Sequence, residues 1–104
     1  MKPDSLKDFV LDQLRELRGL KCRGMFGGFG LYAGAIFFGV IFKGRLYFKT
    51  NNTTREGYVA RGMKPFQPNA RQQLTSYYEV PADVIEDAAE LAAWAGEALK
   101  AAGK

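Results

Sequence analysis

The sequence predicts an α+β domain, an antiparallel β-meander sheet with flanking helices in the order α-β-β-β-α-β-β-α. Three observations predict it. Between Arg23 and Lys49, three runs rich in aromatic and β-branched residues are separated by the pairs Ala33-Gly34 and Lys43-Gly44, the spacing of tight hairpins whose loops need positive φ. Near both ends of the chain, apolar residues recur at steps of three and four, the period of an amphipathic helix. The length, 104 residues, fits one domain over 1–104 with a single core that needs no disulfide or metal.

Ser5 to Arg18 reads as the first helix, with Leu6, Phe9, Val10, Leu14 and Leu17 on one stripe. Asp4 or Ser5 is placed to cap it, Ser5 with Asp8 approximates a capping box, and Gly19 follows as a left-handed C-cap. Its charges cancel, as on a plain solvated face. The sheet opens with Met25, Phe26, Gly27, Gly28 and Gly30. A phosphate cradle needs a helix directly after its glycines, and here a strand follows. The glycines therefore read as a bulge or sharp bend that requires positive φ or close backbone approach.

A two-residue loop at Lys43-Gly44 sets Phe42 opposite Arg45, Ile41 opposite Leu46, Val40 opposite Tyr47 and Gly39 opposite Phe48. Strict alternation then collects Phe37, Ile41, Leu46 and Phe48 on one face. The other face receives Ile36, Phe38, Val40, Phe42 and Tyr47, with Arg45 and Lys49 among them. Because both faces of Ala35 to Phe42 are apolar, something must cover the second: the C-terminal helix, a second subunit or a ligand. If both long helices share the first face, those five residues form an exposed interface, and a homodimer is the simplest cover.

Thr50 to Thr54 offers caps for a short helix over Arg55 to Arg61, closed by Gly62. Pro65 and Pro68 bracket Phe66 in an edge piece, since proline cannot donate to a ladder. Leu74 to Val80 is a strand with Tyr77 and Tyr78 on opposite faces, stopped by Pro81. Asp83 opens a helical turn. Asp87 with Glu90 caps a last helix whose stripe is Leu91, Trp94, Ala95, Ala98, Leu99 and Ala102.

Composition narrows function. There is no histidine, so Ser-His and Cys-His nucleophiles are impossible, and the single Cys22 provides neither a disulfide nor a thiolate zinc set. The acidic residues sit on expected helix faces as solvated charge. No enzyme activity, metal or cofactor is expected. No apolar run approaches a membrane span and no secretory signal opens the chain, so a cytoplasmic location is expected. Between Gly19 and Ser76 nine cations face one acid: Lys21, Arg23, Lys43, Arg45, Lys49, Arg55, Arg61, Lys64 and Arg71. This basic block is a candidate nucleic-acid patch with Tyr47 and Tyr58 available for stacking. Edge cations also keep sheets from pairing with one another, which is the simpler role for many of them.

Taken together, Arg23, Met25-Phe26-Gly27-Gly28, Gly30-Leu31-Tyr32, Gly39, Leu46-Tyr47-Phe48-Lys49, Pro65-Phe66, Ser76-Tyr77-Tyr78, Val80-Pro81 and Leu91 with Trp94-Ala95 carry a resemblance. The chain resembles the N-terminal domain family of the TfoX/Sxy competence regulators over nearly its whole length. The resemblance implies a fold like that of secretion chaperones and a non-enzymatic role as a regulator or coactivator of competence genes. It implies a protein partner, in the transcription machinery or a DNA-bound activator. Direct nucleic-acid binding through the basic block is the alternative. A small-molecule module is the third reading, requiring a closed apolar pocket over Phe38 and Tyr47.

Overall fold

Hairpin chemistry builds the sheet. The computed structural model describes residues 3–25 and 27–103, with side chains from Ser5 onward, so Phe26 and a cap from Asp4 lie outside the described residues. Six strands, β1 (Leu20–Met25), β2 (Gly28–Ala33), β3 (Ile36–Phe42), β4 (Arg45–Lys49), β5 (Pro65–Asn69) and β6 (Gln72–Glu79), form one antiparallel sheet in the order β1-β2-β3-β4-β6-β5. Lys43 and Gly44 both take positive φ, 50° and 75°, and the β3–β4 register follows as expected. The preceding turn is Gly34-Ala35 rather than Ala33-Gly34, because glycine supplies the positive φ (61°) at its first central position while Ala33 pairs with Ile36. Gly27, at φ 77°, lies between Met25 and its partner Gly28, so the first aromatic run divides into two strands.

Around the sheet lie α1 (Pro3–Gln13), α2 (Asn52–Ala60), α3 (Ala82–Ile85) and α4 (Ala88–Ala102). The first helix is shorter than its periodicity suggests. It begins at Pro3, which places Ser5 inside it rather than at its cap, and it gives way to turns at Leu14. There the Leu17 amide donates to the Leu14 carbonyl at 2.8 Å, tightening the chain, and the Gly34 amide donates to the Gly19 carbonyl at 2.9 Å. Gly19 (φ 75°) thus serves the entry into β1, a tertiary demand that overrides helix propensity. The other caps follow local chemistry. Asn51 accepts from the Thr54 amide while Thr54 Oγ1 accepts from the Asn51 amide, and Asp87 accepts from the Glu90 amide.

All four helices pack on one side of the sheet. Leu6, Val10 and Leu14 of the N-terminal segment, Tyr58 of α2, Val84 of α3, and Leu91, Ala95 and Ala98 of α4 share a core with Leu31, Phe38, Ile41, Leu46 and Phe48. The second side carries a separate cluster of Val40, Tyr47 and Phe66, with Phe37, Phe42, Leu74 and Tyr77 against it, and no helix contributes to it.

This arrangement corrects the face assignment. Leu31 pairs with Gly39 while Tyr32 pairs with Phe37, so β3 carries one extra residue, Phe38, in a β-bulge. The bulge breaks alternation: Phe38 turns into the helix-side core and Phe37 to the opposite side. Gly39 belongs to the core as well, since a Cβ there would stand 3.1 Å from the Phe48 ring.

The second side is covered by the chain itself. From Pro65↔Tyr78 to Phe66↔Leu74 the register advances one residue on β5 but four on β6, and the β5–β6 hairpin coils over the sheet. Phe66 comes to 4.7 Å from Tyr47 and 5.5 Å from Phe42, centroid to centroid, burying Val40 and Tyr47.

Candidate functional site

The hairpin covers only one end of that second side. At the other end, paired residues share a face, so the register itself gathers a set of side chains. Lys21 of β1 stands opposite Tyr32 of β2, and Lys49 of β4 opposite Tyr77 of β6. The Tyr32 and Phe37 rings lie 5.1 Å apart and Phe37 and Tyr77 5.7 Å apart, forming a row of half-buried rings. The Arg23 guanidinium sits 5.8 Å from the Tyr32 centroid and Lys49 Nζ 5.3 Å from that of Tyr77. Cation, ring, ring, cation and ring thus cross five neighbouring strands.

Charge separates the two layers. Of eleven acidic residues, ten lie on the helices or the connections around them, and only Glu79 lies on a strand. Glu79, paired with Tyr47, is held by Arg45 at 2.9 Å. Lys43, at the β3–β4 turn, rests over Phe42 at 5.4 Å. One side of the molecule is therefore basic and aromatic, the other mixed and acidic.

The nine cations of the basic block divide accordingly. Lys21, Arg23, Lys43, Arg45 and Lys49 are brought together on the sheet side. Arg55 and Arg61 belong to the helix layer. Arg55 Nη1 donates to Asn52 Oδ1 at 3.2 Å; Arg61 grips Asp83 at 2.6 Å and lies 5.7 Å from the Trp94 centroid. That grip holds the Asp83 carboxyl below its usual range. Lys64 is exposed just before β5, and Arg71 lies at the β5–β6 turn.

The stacking residues differ from those expected. Tyr58 is buried edge-on to Trp94 at 4.8 Å, and desolvation drives its phenol far above its ordinary value. Tyr47 lies under Phe66. Tyr32, Phe37 and Tyr77 hold the open positions instead; the bulge at Phe38 hid Phe37, whereas the pairing of Tyr77 with Lys49 becomes readable once β4 and β6 are known to be neighbours. Burial first, and then proximity to Tyr32, raises the Tyr77 pKa, so the ring stays neutral at physiological pH.

The five residues expected as one exposed interface are dispersed. Phe38 is 0%, Val40 2% and Tyr47 9% exposed, Phe42 is half-buried, and Ile36, at 39%, lies beside Gly103 at the end of α4. Phe38 and Tyr47 lie on opposite sides of the sheet, so no pocket lies over both. A cleft of about 170 Å³ between α2 and α4 is lined by Lys49, Thr54, Gly57, Tyr58, Trp94 and Glu97. Cys22 is half-buried on the helix side, and burial raises its thiol pKa.

Among the motif glycines, Gly27 provides the positive φ and Gly28 the close approach, where a Cβ would stand 2.3 Å from the Ile41 carbonyl oxygen. Gly30 lies under Met25 and Phe37, its absent side chain making room for the row of rings. Among the described residues no helix is long and apolar enough to cross a membrane.

Residues 12–102 match the family model of the TfoX N-terminal domain. No curated protein matches the chain.

Proposed function

The chain belongs to the TfoX N-terminal domain family, and from that premise we propose that it is a regulator of gene expression of the competence-regulator kind, acting by binding rather than catalysis through the helix-free side of its sheet. One observation carries this reading. Five cations and three half-buried rings gather on that side, while ten of the eleven acids lie with the helices. Surfaces of this composition are suited to transient contact with a component of the transcription apparatus, whether protein or nucleic acid.

The apolar patch for which the sequence suggested a homodimer lies mostly inside the fold. Support for contact therefore shifts to the basic and aromatic band. Site-specific photo-crosslinking in the native host tests the reading. A benzophenone side chain at Lys21, on the band, is expected to capture a transcription protein or nucleic acid, and one at Glu90, on α4, is not. Capture from Glu90 alone overturns the assignment of the working side.

A further inference from the structure

We infer that the band Arg23–Tyr32–Phe37–Lys49–Tyr77 binds single-stranded nucleic acid, its rings stacking bases and its cations meeting the phosphates between them. The inference rests on the proposed working side and adds the chemistry of its ligand.

Three features of the band point to this ligand. Its rings form a continuous row on a sheet surface, 5.1 and 5.7 Å apart, on the side to which no helix contributes. A duplex keeps its base faces inside the stack, so such a row cannot engage them; an unpaired strand exposes its base faces. Each terminal tyrosine has its own cation, Arg23 with Tyr32 and Lys49 with Tyr77, matching the alternation of base and phosphate along a strand. Those cations now rest over the rings, in contacts that are weak at exposed sites and readily exchanged for a phosphate and a base.

Charge complementarity supplies the second argument. Lys21, Arg23 and Lys49 border the rings, and the one strand carboxylate, Glu79, is already engaged by Arg45. An acidic protein segment would satisfy the cations but leave the rings without partners. A row of three rings suits two or three bases, as on other sheet platforms for single strands.

Fluorescence anisotropy of the full chain with labelled oligothymidylate, the matching duplex and polyglutamate tests this. The single strand is expected to bind tightest, with log K falling against log salt at a slope of about −2 for three cations between about 50 and 200 mM. Lys49→Gln is expected to reduce that slope by about 0.7. Tyr77→Leu and Tyr32→Leu are each expected to weaken binding about tenfold or more, and Tyr77→Phe to restore it. The two leucine variants are independent, so one that fails to fold by circular dichroism leaves the other to decide.

Equal or tighter binding of duplex, with leucine variants unaffected, overturns the stacking inference while leaving the working side intact. Polyglutamate bound as well as the oligonucleotide overturns it too, since charge alone then accounts for affinity. Absence of nucleic-acid binding at about 50 mM salt ends it outright. In that case a crosslink from Lys21 to protein alone preserves the functional reading, and silence at Lys21 ends both.

Discussion

At the residue scale, neighbouring glycines do different things. Gly27 needs its positive φ but has open space around it, so Gly27→Asn, which tolerates the left-handed region, is expected to change stability by no more than about 0.5 kcal/mol. Gly28 has an ordinary φ and no room, and Gly28→Asn is expected to cost about 1 to 3 kcal/mol as backbone and ring are forced apart. Urea midpoints of the pair decide it; equal losses would show that one shared constraint acts. Phe38→Glu buries an unpaired carboxylate in the helix-side core, so the cooperative unfolding transition should vanish, whereas Phe42→Glu leaves a folded protein. A folded, monomeric Phe38→Glu would restore the exposed-face reading. Tyr47, Tyr58 and Tyr77 all have pKa values raised chiefly by burial. A raised folded-state value means full stability below the unfolded value, near pH 10, and loss as pH rises further. Unfolding midpoints should therefore drop above about pH 10, and Tyr58→Phe should make that drop shallower.

At the element scale, helix boundaries obey local chemistry where a cap exists and tertiary contacts where it does not. The reciprocal Asn51–Thr54 capping box starts α2 one turn before its apolar residues require, and Asn51→Ala is expected to cost about 1 kcal/mol. A loss below about 0.3 kcal/mol in denaturant unfolding would show that packing of Tyr58 alone holds the helix, as a cap normally contributes more. The N-terminal helix has no such stop. Its apolar period runs on through Leu17, yet the chain leaves the helix at Gln13, and the Gln13 side-chain Nε2 donates to the Ile85 carbonyl at 2.8 Å, tying that end to α3. Leu14 and Leu17 still dock on the core from turns. A stripe therefore records which side chains are buried more securely than which backbone conformation buries them.

Across the whole molecule, the coil of the β5–β6 hairpin covers the apolar end of the second side of the sheet. From the edge strand β5, Phe66 joins Leu74 on the neighbouring strand, Tyr47 two strands away and Val40 and Phe42 three strands away. Phe66→Ala is expected to cost about 3 to 5 kcal/mol and to open the cluster to solvent, measured by denaturant unfolding and by faster exchange of the β5–β6 amides. A loss confined to hairpin exchange, with no change in the global midpoint, would show that the hairpin is a separable flap.

The fold class, the β3–β4 register, the caps at Asn51 and Asp87, the edge character of Pro65 to Pro68 and the opposed faces of Tyr77 and Tyr78 were legible in the sequence. Each depends on a neighbour only a few residues away: a turn residue, a side-chain oxygen, a missing amide or the period of a strand. The bulge at Phe38, the bend of β6 against β5 and the packing of all four helices on one side of the sheet were decided by tertiary structure alone. A single inserted residue inverts the parity of its strand without leaving a periodic trace, and the cover over Tyr47 comes from an aromatic ring nineteen residues later. The basic block was visible as a count along the chain; which of its members share a surface depends on pairings among β1, β4 and β6 that only long-range packing selects.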